Sequence, residues 1–128
     1  MSDEKTAYRQ TILIIEPNEQ IREAMVNFLL SAGYQQIEES PGFAHADIER
    51  IARSSYGAIV ADADVLLTAG LRFDTDLARL SPSTRIVLMI EPEEQPAWDQ
   101  IAMPPVGVQF LIKTDFARNL LYLLEAPL

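Results

Sequence analysis

The chain has 128 residues, 48% of them hydrophobic, which suits one folded domain rather than a disordered segment. Its net charge of −9 sets ten Lys and Arg against nineteen Asp and Glu, and the basic residues are scattered singly from Lys5 to Arg118, so the phosphate neutralisation that nucleic-acid binding requires is not expected. Cysteine is absent, which excludes disulfides and thiol chemistry. The polar N-terminus MSDEKTAYRQ lacks the apolar stretch of a secretory leader, and no apolar run approaches the roughly 20 residues of a membrane span. A cytoplasmic location away from membranes is expected.

Residues 1–10 read as an N-terminal extension and 11–128 as the domain. Thr11 to Ile15 is solidly apolar and β-branched, as in a strand covered on both faces. Asn18 is a good N-cap for a helix whose stripe is Ile21, Ala24, Met25, Phe28 and Leu29, and Gly33 sits where a left-handed cap would close it. A weak strand follows near Gln36 to Glu39. A helix then spans about Ala44 to Arg53, with Ala44, Ile48 and Ile51 facing inward.

Ala58 to Ala61 is the third apolar run and ends in Asp62. After a loop through Gly70, Phe73, Leu77 and Leu80 mark a third helix. Ile86 to Ile90 reads as the fourth strand. Four of the eight prolines fall between Glu91 and Pro105, so the helix there is expected to be short, around Ala97 to Met103. Val108 to Ile112 is the fifth strand. Asp115 is placed to cap a final helix carrying Phe116, Leu120, Leu121, Leu123 and Leu124.

Five strands alternating with five helices predict right-handed crossovers and a parallel sheet covered on both faces. The fold class is therefore α/β, a single doubly wound domain, and the flavodoxin-like strand order 2-1-3-4-5 suits five strands in this length. Ligands of such sheets bind beyond the carboxyl ends of the strands. Glu16, Asp62 and Lys113 follow the first, third and fifth strands, so two carboxylates and an ammonium are expected at one crevice. Taken singly, each could merely mark where a strand reaches water.

Around these residues the chain resembles the receiver domain of two-component response regulators. Ile12-Leu13-Ile14-Ile15-Glu16-Pro17-Asn18-Glu19 followed by Arg22 is similar to the first strand and acidic turn of that family. Tyr56-Gly57-Ala58-Ile59-Val60-Ala61-Asp62 is similar to its third strand, Gly70 matches a loop glycine, and Phe110-Leu111-Ile112-Lys113 matches the fifth strand. The likeness runs over residues 11 to 125. It implies that Asp62 accepts a phosphoryl group from a histidine kinase or phosphotransfer protein, that Lys113 clamps a phosphoryl oxygen, and that Glu16, Asp62 and the Asp64 backbone carbonyl hold Mg2+.

The sequence also departs from that pattern. Pro17 stands where a second acidic metal ligand is usual, which weakens the expected Mg2+ site. Ile90 stands where a Thr or Ser hydroxyl would reach the phosphoryl group, a loss of about 1.5–3 kcal/mol for one hydrogen bond to a charged group. Glu91 replaces a small residue, either repelling phosphate or facing solvent. Thr114 replaces a proline. Asp62 and Lys113 could also persist as an ion pair that only fixes loops.

The resemblance further implies a partner or homodimer surface formed by the fourth helix, fifth strand and fifth helix. Trp98, Phe110, Phe116 and Tyr122 would lie there, each readable as an interface anchor or as core. A phosphorylation-independent pseudo-receiver acting as an interaction or dimerisation module is the alternative to a responsive receiver. An enzyme or flavin carrier on this fold is the third reading. Against it, there is no P-loop, GxGxxG or GxSxG, and the single histidine, His45, is read as a surface residue.

Overall fold

The computed structural model describes residues 10–44, 47–53, 56–70, 72, 75–76, 79, 84–99 and 107–125, with Ile48, Trp98 and Asp99 described by backbone alone. The strands are β1 (Thr11–Ile15), β2 (Gln36–Ser40), β3 (Tyr56–Asp62), β4 (Arg85–Ile90) and β5 (Val108–Ile112). The helices among the described residues are α1 (Glu19–Ser31), α2 (Asp47–Arg53), α3 (Ala63–Thr68), α4 (Gln95–Asp99) and α5 (Phe116–Glu125), with 3-10 turns at Pro92–Glu94 and Lys113–Asp115. All four strand pairings are parallel and the order is β2-β1-β3-β4-β5, the doubly wound arrangement expected. No helix among the described residues is long and apolar enough to cross a membrane.

The solid apolar runs follow from this topology, because a central parallel strand buries both of its faces. On one face Ile12, Ile14, Val60 and Val87 pack beneath Met25 and Leu29 of α1 and Leu120 and Leu124 of α5. On the other, Leu13, Ile15, Ile59 and Leu88 pack against Ile51 of α2 and Leu66 of α3. The weak β2 is an edge strand with no fully buried residue, which explains its faint apolar signal.

Asn18 caps α1 as expected, its Oδ1 accepting the Ile21 N–H at 3.0 Å. The helix ends in a complete left-handed cap: Gly33 adopts φ 108°, its N–H donates to Leu30 O, and Tyr34 N–H donates to Leu29 O. Gly70 follows α3 at φ 86°, its N–H donating to Leu67 O at 2.9 Å.

Several sequence-based expectations are corrected. Ala24 is exposed, and Val26 packs on the core in its place. Helix α2 begins at Asp47, leaving Ala44 exposed while the preceding Phe43 packs inward. The segment after β3 turns straight into α3 instead of running as a loop to Gly70. Helix α4 starts two residues earlier than expected, at Gln95, and residues 100–106 lie outside the described ones. Asp115 lies in the 3-10 turn that leads into α5. Phe73, Leu77 and Leu80, the marks of the expected third helix, and His45 also lie outside the described residues.

Leu120 is fully buried between sheet and helix, whereas Tyr122, two residues on, is 73% exposed. Leu120→Ala is expected to cost about 2–5 kcal/mol, and Tyr122→Ala to stay within ~0.5 kcal/mol, read from the urea midpoint at unchanged m-value.

Candidate functional site

The topology brings Glu16, Asp62 and Lys113 together at the carboxyl edge of the sheet. Glu16 follows β1 and is completely buried, with its backbone N–H tied to Ser40 O of β2 at 3.0 Å. Its Oε2 accepts the Asn18 N–H at 2.9 Å, so the carboxylate folds back over the turn into α1. Its Oε1 lies 2.8 Å from Lys113 Nζ, an ion pair between two side chains largely shielded from water.

Asp62 ends β3 and also starts α3. Its backbone is extended (φ −63°, ψ 121°), and Oδ1 accepts the Val65 N–H at 3.0 Å as the N-cap of that helix. Oδ2 is paired with the Lys113 ammonium. Lys113, just past β5, thus bridges two buried carboxylates while its own side chain is only 10% exposed. Glu91 completes the group from the end of β4, its carboxylate 3.8 Å from the same ammonium and 44% exposed. Three carboxylates therefore face one ammonium, leaving two negative charges uncompensated within the group.

Burial taken alone would lower the Lys113 pKa. The hydrogen bonds and charges of Asp62 and Glu16 outweigh it and hold the ammonium above the ordinary lysine value. At the rim Arg22 donates from Nη1 to the Glu16 carbonyl at 2.8 Å and from Nε to Glu39 at 3.1 Å, joining α1 to the ends of β1 and β2.

The remaining expected site residues are distributed as follows. Ile90 is buried in the core, opposite Ile112 in the β4–β5 register, so an apolar side chain ends this strand and offers no hydroxyl. Asp64 lies exposed in the first turn of α3, and its carbonyl is turned toward the helix C-terminus, away from the Asp62 carboxylate that caps the opposite end. Phe110 is partly buried against the core face shared with Leu88 and Ile90, and Phe116 stacks edge-on against Phe28 at 5.7 Å. Trp98 belongs to α4, with its side chain outside the described residues.

With the Lys113 ammonium in place, the donor set does not suit a divalent cation. Glu16 Oε1 and Asp62 Oδ2 are paired directly with the lysine ammonium, and Glu91 Oε1 stands 3.8 Å from it. The second oxygens of Glu16 and Asp62 accept the Asn18 and Val65 N–H groups, and Pro17 has no side-chain ligand atom to add.

Asp62's second role as a helix cap escaped the sequence reading. Its signal was present: Asp62-Ala63-Asp64-Val65-Leu66-Leu67 places an N-cap residue and a first-turn acid before an apolar run closed by Gly70.

Compared with known proteins, the chain matches no protein-family model, and no curated protein matches it.

Two outcomes follow from this geometry. Asp62→Asn keeps an oxygen to cap α3 but loses the ion pair, whereas Asp62→Ala loses both. The alanine variant should therefore be the less stable of the two by about 0.5–2 kcal/mol in urea denaturation. Because Lys113 titrates higher folded than unfolded, its contribution is fully present below its unfolded pKa of about 10.4 and is lost as pH rises through the folded value. Tyr56, raised by burial and by its hydrogen bond to Glu38, acts with the same sign in the same range. The stability lost above that pH should accordingly be larger in the wild type than in Lys113→Met, which retains Tyr56.

Proposed function

We propose that this chain is a receiver-like signal-transduction domain of the two-component type, with Asp62 as its candidate phosphoacceptor. The observation that carries the reading is the meeting of Asp62, Lys113 and Glu16 at the carboxyl edge of a parallel sheet in the order β2-β1-β3-β4-β5. A buried carboxylate beside a buried ammonium is an arrangement suited to forming an acyl phosphate, since the cation offsets charge as phosphate and carboxylate approach. In that step an Asp62 oxygen bonds to phosphorus while the P–N bond of a phosphohistidine donor breaks, its electron pair returning to the histidine nitrogen. Lys113 would leave its pairing with Oδ2 to bind a phosphoryl oxygen. On this reading the chain acts in the cytoplasm as the acceptor of a kinase or phosphotransfer protein, has no enzymatic turnover of its own, and passes the signal to a protein partner or a second copy. It touches neither nucleic acid nor membrane.

A second reading is favoured by one further observation. Both Asp62 oxygens are already engaged, and Glu91 adds a negative charge 3.8 Å from the lysine, which opposes an incoming phosphate. In that case the same fold serves as a phosphorylation-independent interaction or dimerisation module.

Intact-mass measurement after incubation with acetyl phosphate and magnesium separates the two. A receiver gains the mass of one phosphoryl group, and Asp62→Asn does not. A wild type that gains nothing, or a gain that survives Asp62→Asn, overturns the phosphoacceptor assignment.

A further inference from the structure

The cation that neutralises the acidic pocket comes from the chain itself. Glu16 has no exposed surface, and a carboxylate at such a place is costly unless a charge of opposite sign meets it. The only cation within 4.0 Å of its carboxylate among the described residues is Lys113, which also serves Asp62. Two carboxylate oxygens from different strands converge on Nζ, which is the relation that two ligands bear to a bound metal ion. Arg22, the other nearby cation, is turned instead to the Glu16 carbonyl and to Glu39.

We infer that the Lys113 ammonium fills the position between Glu16 and Asp62 that a divalent cation would otherwise take, so that the resting pocket excludes such an ion. The inference deepens the receiver-like reading by making the resting state of its site metal-independent. The exclusion has two physical causes. An ion entering between Oε1 and Oδ2 must displace an ammonium whose own burial makes it poorly replaced by solvent, and the outward oxygens of the same carboxylates are held by Asn18 and Val65. Glu91, 3.8 Å from the ammonium and partly in water, adds attraction for cations in general.

The test uses Mn2+ as the probe, read by the amplitude of its free-ion electron paramagnetic resonance signal and by thermal melting. Wild-type protein at millimolar Mn2+ should leave the free-ion signal undiminished and its melting temperature unshifted. Lys113→Met, shown folded by circular dichroism, should take up Mn2+ and melt several degrees higher with it, since a ligand bound only by the folded state stabilises that state. The added substitution Asp62→Asn should abolish that uptake. Saturable one-to-one Mn2+ binding by the wild type, lost in Asp62→Asn, overturns the inference. So does a folded Lys113→Met that binds no Mn2+. If Lys113→Met does not fold, the wild-type titration decides alone. These readouts are independent of phosphoryl transfer: a wild type that binds Mn2+ at Asp62 sinks the inference while leaving the receiver-like reading intact, and a wild type that rejects both Mn2+ and phosphoryl groups does the reverse.

Discussion

The ion cluster around Lys113 ties the ends of β1, β3 and β5 into one unit, and most features of the site depend on it. Neighbouring strands lie about 4.8 Å apart, so β3 and β5, with β4 between them, are separated by about 10 Å, and β1 and β5 by about 14 Å. A lysine is long enough to reach across the end of β4 to Asp62. A glutamate after β1 extends far enough to meet it from the other side, where an aspartate would fall a methylene short. The residue lengths are matched to the strand order.

Burial gives this cluster its consequence. Exposed ion pairs contribute little, but Glu16 has no contact with water and Lys113 and Asp62 have little. Removing one member leaves the others buried without their partner, which is destabilising. The same burial explains why Asp62 does two things at once. Its carboxylate is the junction between β3 and α3, one oxygen capping the helix and the other holding the lysine. In the proposed receiver-like role, any covalent change at this carboxylate would disturb the helix start, the lysine and, through Lys113, the turn into α5. A route from site to surface is thereby built from direct contacts.

The opposite end of the sheet is organised separately and more conventionally. Arg85 opens β4, is buried, and donates to the Leu123 carbonyl in the last turn of α5, where a cation also complements the helix dipole. Thr84 Oγ1 donates to the Tyr56 carbonyl at 3.1 Å, and the Tyr56 hydroxyl donates to Glu38. These contacts join strand starts to helices and leave the carboxyl edge as the place where charge is concentrated.

The sequence by itself determined the number, order and type of the central elements, because strands buried on both faces must be written as unbroken apolar runs, and because Asn18 and Gly33 act locally through their own backbone neighbours. It also pointed to Glu16, Asp62 and Lys113, since polar residues that end such runs have to emerge at one edge. The strand order was suggested by the number of strands and the chain length, and the helix after β3 was overlooked although Asp62 and Gly70 bracket it. Only the tertiary structure decided that Glu16 is sealed from water, that one lysine serves two carboxylates and that Glu91 leans toward the same ammonium. Those are relations between residues tens of positions apart. They are set by strand spacing and side-chain reach, quantities that no local pattern of residues encodes.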